Sequence, residues 1–235
     1  TTVLIAPNGQ IGGMVTSGLT ATDMNRHSAI GGVTAEFYGR IYEYYTNPDV
    51  WRNQTRDEFI ESTKKRTFTG KNDKRRIQWV YEAKVAEQIF MDMLSEAGVK
   101  IVSGVLSETD AVKKNRRGIL KSIVLLDGTR IAARMFIDAS YTGDLMAASG
   151  VSYTYGRESR EQYGEELAGI RINYDNTTWE NISPYSPRTG KLLPYIIPEP
   201  WGENGDEDKH MQSYCYRLTL TDDPSNMVPI TRPEG

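Results

Sequence analysis

The 235-residue sequence predicts an α/β layered fold, and three observations carry that reading. A short β-rich apolar run, TTVLIAP (1–7), stops at proline and an Asn-Gly pair, as a strand does before a turn. A helical pattern over 81–98 closes on Gly98 and passes at once into the apolar strand pattern VKIVSGV (99–105). Three further segments, 108–115, 118–128 and 129–138, read as an antiparallel meander, with Asp127-Gly128 suited to a tight hairpin turn.

The elements follow in order. After the first strand, residues 29–46 place Ile30, Val33, Phe37, Ile41 and Tyr44 on one helical face, and Asn47-Pro48 ends that helix. Residues 49–77 are polar, basic and weakly patterned, which reads as a surface excursion. In the helix over 81–98, Val85, Ile89 and Met93 share a face with Ala86, Phe90, Leu94 and Ala97. Beyond the meander, MFIDAS (135–140) is expected as an apolar strand leading into YTGDLMAASG, a Gly-led turn that opens a short helix. From about residue 151 the texture turns rich in Pro, Asn and Tyr, so a second, loop-rich region is expected there.

Composition narrows the function classes. A net charge of −3 and a sequence pI near 5.6 exclude a bulk electrostatic case for nucleic acid, and the basic runs at 62–76 and 113–117 read as solvated loops. No stretch has the length of a membrane helix. One cysteine, Cys215, excludes an internal disulfide and a multi-cysteine metal site, and two histidines, His27 and His210, exclude a His-rich centre. His210, in GDEDKH, reads as exposed. The first residue is Thr and the first strand begins at once, so the chain is expected to be a fragment of something longer.

Two glycine pairs, 12–13 and 31–32, flank a run of small hydroxylated residues directly after the first strand. Glycine supplies unusual backbone angles or close approach, and it costs order in the unfolded chain, so the string needs a reason. Gly143-Asp144 forms a second candidate turn, with an ordinary helix-capping role for Asp144 as its alternative.

With these elements in order, the chain resembles the FAD-dependent oxidoreductases of the two-dinucleotide-binding type, and within them a bacterial subfamily often labelled FAD-dependent oxidoreductase or xanthan lyase. The segments that carry the resemblance are 11–23, 29–41, 85–101, 137–159 and 216–235. The resemblance implies a Rossmann-like, three-layer FAD-binding domain with an inserted antiparallel β-meander over residues 1–155, and part of a loop-rich substrate-side or cap region over 156–235. It also implies non-covalent FAD as cofactor. Gly12, Gly13, Met14, Ser17 and Gly18 would lie along the FAD pyrophosphate toward the flavin ring, Gly143 and Asp144 near the ribityl or pyrophosphate, and the Val105 backbone against the adenine.

Three departures from the family pattern stand out. The G-x-G-x-x-G turn is missing together with its βα unit, Ala6 stands where an acidic residue normally meets the adenosine ribose, and EAKVA (82–86) replaces a common EPHVA. The implied chemistry is hydride transfer between a small organic substrate and FAD. Asp23 and His27, just past the first loop, and Arg217, suited to an anion, are the candidates for substrate activation; each has a solvated-loop or salt-bridge role as its alternative. The implied partner is a small-molecule substrate, with homo-oligomerisation left open and neither nucleic acid nor a membrane span. An NAD(P)-dependent dehydrogenase shares the strand–Gly–helix logic without needing the meander and the Gly-Asp turn. A carbohydrate-binding module would use Tyr174, Trp179, Tyr185, Tyr195 and Trp201 for stacking.

Overall fold

A computed structural model describes residues 1–22, 26–62, 76–171, 183–196, 202–211, 217–218, 220–221 and 223–232. Helices and strands are mixed. The chain divides into two compact units, Thr1–Ser149 with Cys215–Gly235, and Gly150–Tyr214.

In the first unit, β1 (Val3–Ala6) pairs in parallel with β2 (Lys100–Ser103), each residue from Val3 to Ala6 opposite one from Lys100 to Ser103. Between them come α1 (Gly32–Thr46), α2 (Arg56–Ser62) and α3 (Ala83–Glu96). The meander follows as β3 (Val112–Lys114), β4 (Leu120–Val124) and β5 (Arg130–Ala132), antiparallel in the order β3-β4-β5. It rests on the end of β2 through Leu125: a Cβ at Gly104 would lie 2.6 Å from Leu125 Cδ1, so a larger residue there would have to displace the Leu125 side chain. α4 (Asp144–Ala148) completes the unit as far as Ser149. Among the described residues no helix is long and apolar enough to cross a membrane.

The core lies between α1, α3 and residues 77–81. Phe37 stacks on Phe90 at 4.3 Å between ring centroids, and Tyr38 packs on Trp79 at 4.5 Å. On the rim, Arg40 of α1 bonds both carboxylate oxygens of Glu96 at the end of α3, each at 2.7 Å. The buried face of α1 is rotated from the expected one. Phe37 and Ile41 are buried as expected, but Tyr38 and Tyr45 join them while Val33 is 70 % exposed. The reason is that both tyrosines bury their rings with the hydroxyls satisfied. Thr22 Oγ1 donates to Tyr38 Oη at 3.0 Å, and the Glu82 N–H donates to Tyr45 Oη at 2.9 Å.

Two other expectations are corrected. Residues 49–77 are not wholly superficial: Trp51 packs against the core and Ile77 is inside it, while 63–75 lie outside the described residues. MFIDAS is not a strand. After β5 it finds no ladder partner among the described residues, and Met135 and Ile137 are 81 % and 85 % exposed.

The second unit is loop-rich, with α5 (Arg160–Tyr163) as its one helix among the described residues. Close backbone approaches organise it: a Cβ on Gly156 would lie 2.2 Å from the Asp208 carbonyl oxygen, and one on Gly169 2.5 Å from the Gly205 carbonyl carbon. Asp208 accepts from Arg157 Nη2 at 2.8 Å, from the His210 N–H at 2.9 Å, and pairs with His210 Nδ1 at 2.7 Å. The His210 bonds, then the Arg157 contact, pull the Asp208 carboxyl down to about 2. His210 is exposed, as its sequence context indicates.

Candidate functional site

Because β1 and β2 are parallel, their carboxyl ends leave the sheet at the same edge, the place where α/β proteins seat ligands. The last rung there is the Gly104 N–H donating to the Ala6 carbonyl at 3.1 Å. β1 continues into loop 11–18, and β2 into Gly104 and Val105. Val105 is exposed, and its carbonyl is occupied by the Leu126 N–H. The last residue of β1 is the buried Ala6, whose side chain carries no carboxylate.

Loop 11–18 is pinned from beneath. Ile11 and Thr16 are buried, and the Thr16 hydroxyl bonds the Ile11 carbonyl. Gly12 opens a 3-10 turn, Gly13–Val15, at φ 92°, and a Cβ there would strike Thr16 Cγ2 at 2.4 Å and Phe90 of α3 at 3.0 Å. Ser17 Oγ donates to the Gly13 carbonyl at 2.7 Å. The N–H groups of Gly12, Gly13, Ser17 and Gly18 meet no acceptor among the described residues. A loop held below by its own side chains therefore leaves four backbone donors for something outside it, a donor set that suits an anionic group.

The second loop, 138–146, is organised by Asp138. One carboxylate oxygen accepts the Ser140 N–H at 3.0 Å and the Ser140 hydroxyl at 2.7 Å, and the other accepts the Met146 N–H at 2.9 Å. Ser140 Oγ accepts in turn from the Gly143 N–H at 2.9 Å. Partial burial raises the Asp138 pKa, but the bonds from Ser140, Met146 and Leu145 outweigh it and hold the carboxyl below the usual range. Asp138 thus performs the capping that the sequence leaves open for Asp144. The N-cap position itself is Gly143, at φ 70°, and Asp144 is the first helical residue, exposed, accepting only from the Thr142 hydroxyl at 2.7 Å.

The two loops meet. Tyr141 Oη accepts the Met14 N–H at 2.8 Å, so the loop bearing Gly12, Gly13 and Met14 is tied to the turn bearing Gly143 and Asp144. Arg217 arrives from the other end of the chain: a Cβ on Gly18 would lie 2.7 Å from Arg217 Cβ and 3.5 Å from its Cδ, so the arginine stem lies on that glycine. Arg217 is exposed and forms no ion pair among the described residues. Asp23 lies outside the described residues, as do Cys215, Tyr174, Trp179 and Trp201; His27 begins a 3-10 turn, His27–Ala29. Among the described residues no group of three or more His, Cys, Asp or Glu side chains is placed to hold a metal ion.

Sequence reasoning missed Tyr141 and Asp138. The signal for Asp138 was present, since an Asp two residues before a Ser at the start of a turn is a local acceptor of backbone N–H groups. Nothing local signals Tyr141, whose partner lies 127 residues away.

A parallel strand pair whose carboxyl edge opens into a glycine-rich loop, with backbone donors that meet no acceptor among the described residues, is an α/β arrangement suited to an anionic ligand. The particular family follows from comparison: the model of the FAD dependent oxidoreductase family matches residues 1–235, and the chain belongs to that family. FAD is its cofactor, and its general chemistry is flavin-dependent oxidoreduction. A search of curated proteins found no match.

Proposed function

We propose that the protein oxidises a small organic substrate, with hydride transfer to non-covalently held FAD, and that loop 11–18 together with Gly143 and Asp144 holds the cofactor. The observation that carries this reading is the set of four N–H donors, at Gly12, Gly13, Ser17 and Gly18, that meet no acceptor among the described residues, with the Arg217 stem lying on Gly18. When bound, FAD supplies the redox centre; the chain supplies binding, orientation and charge.

In this reading Gly12, Gly13, Ser17 and Gly18 donate to the anionic pyrophosphate, and Met14 lies along it. Arg217 lends positive charge to an anionic substrate or to the reduced cofactor. The Asp144 carboxylate faces the ribityl or pyrophosphate region, and Val105 offers its backbone near the adenine. Asp23 and His27 are the further candidates for holding or moving a substrate proton. Residues 1–155 form the FAD-binding part, Rossmann-like in its layering, and 156–235 contribute the substrate side.

The test is an absorbance spectrum of the purified chain, before and after addition of FAD and removal of the excess. The same measurement is made in parallel on the complete protein of which these residues are the whole or a part. Retained flavin bands at a stoichiometry near one are expected. A complete protein that stays colourless after saturation with FAD overturns the proposal.

A further inference from the structure

We infer that Tyr141 is a positioning residue for the cofactor: a clasp that fixes the first glycine loop against the Gly-Asp turn. The inference rests on the placement of FAD proposed above. Tyr141 is 71 % exposed, so it is not held there by burial. Its hydroxyl is nevertheless committed to one backbone donor, the Met14 N–H at 2.8 Å, across 127 residues of sequence. The base of its own turn is fixed by Asp138 and Ser140, so the clasp joins two segments that are each rigid locally.

Gly13 fits the same account. A Cβ at position 13 would lie 2.2 Å from Tyr141 Oη and 3.0 Å from Cζ, so the tyrosine occupies the space that a side chain would need. A cofactor contacting both loops must otherwise bring together two chain segments that move independently. Fixing them beforehand removes that ordering cost from binding. Phenylalanine at 141 preserves the ring and deletes only the acceptor.

The experiment is a double-mutant cycle read by FAD titration, using the full chain, with Tyr141→Phe, Gly13→Ala and the pair. Tyr141→Phe is expected to weaken FAD binding about fivefold, the scale of one neutral hydrogen bond. It should also speed amide exchange at Met14 while leaving the urea midpoint unchanged. Gly13→Ala is expected to weaken binding more, and adding Tyr141→Phe to it should recover part of the loss, because the 2.2 Å collision disappears. A merely structural role for Tyr141 would instead lower the urea midpoint of Tyr141→Phe and leave the FAD affinity of the folded protein at the wild-type value. Wild-type affinity in Tyr141→Phe overturns the clasp and leaves the FAD placement standing. Should Gly13→Ala fail to fold, Tyr141→Phe decides alone. A wild-type protein that binds no FAD overturns the placement, and the clasp with it.

Discussion

Replacing Asp138 by Ala tests whether the Gly-Asp turn is built from Asp138 rather than from Asp144. The lost interactions are three hydrogen bonds of 2.7–3.0 Å to one carboxylate. The bond to the Met146 N–H caps the first turn of α4 and is worth about 1 kcal/mol. The two from Ser140 are local and partly exposed, so about 0.5 kcal/mol each is a fair allowance after solvent screening. The expected loss is then about 2 kcal/mol. Asp138→Asn keeps one acceptor oxygen and should lose about half as much. Urea unfolding followed by circular dichroism gives the total, and amide exchange at Met146 localises it.

The pH dependence has a definite sign. The folded carboxyl titrates below its unfolded value, so its stabilisation is complete above about pH 4 and fades as the pH falls through the lower folded value. The gap between wild type and Asp138→Ala should therefore narrow in acid. A loss below about 0.5 kcal/mol at neutral pH, or a gap that does not change in acid, refutes the assignment.

Asp144→Ala is expected to leave the urea midpoint nearly unchanged, since Asp144 is exposed and accepts one bond, yet to weaken FAD binding about tenfold; unchanged affinity removes Asp144 from the site. Ile41→Ala should cost about 3 kcal/mol because Ile41 is fully buried, whereas Val33→Ala should cost almost nothing; equal losses would return the buried face of α1 to its sequence-based position. Stability should decline between about pH 10 and pH 12, because burial pushes the Tyr81 hydroxyl up to about 12 and raises Tyr45 further, so unfolded tyrosines ionise before folded ones. Unfolding that is flat in urea over that range would contradict their burial.

Where a pattern is local, the sequence carried the fold. The helix over Ala83–Glu96, its step into β2 and the three-strand meander all follow from spacing and turn residues that act within a few positions. The failures are long-range. Tyr38 and Tyr45 belong to the core only because Thr22 and Glu82 supply partners for their hydroxyls, so counting apolar residues placed the helix face too near Val33. MFIDAS has strand composition, but composition supplies no neighbour to bond to. Ile77 and Trp79 enter the core from a segment whose preceding residues are basic and unpatterned. In the candidate site, the glycines and Asp144 could be named from the order of motifs and Asp138 from its spacing to Ser140, whereas Tyr141, whose partner lies 127 residues away, could be found only from the folded geometry.

The glycines of the first loop require a separation of two causes. Gly12, Gly13 and Gly18 all have positive φ, and each also has an internal neighbour where its side chain would be: Thr16 with Phe90, Tyr141, and Arg217. Packing inside the chain is thus sufficient to demand glycine at all three, and a Gly→Ala loss of affinity would not by itself place a ligand there. Packing does not account for the other half of the geometry. The same conformations that admit Phe90, Tyr141 and Arg217 on the side-chain side leave the N–H groups of Gly12, Gly13, Ser17 and Gly18 without acceptors among the described residues. On an exposed loop water can satisfy such donors, and a phosphate oxygen does so with charge added. Glycine identity therefore reports how the loop is assembled, and the spare donors, beside an arginine with no ion pair among the described residues, are what argue for an anion at its surface.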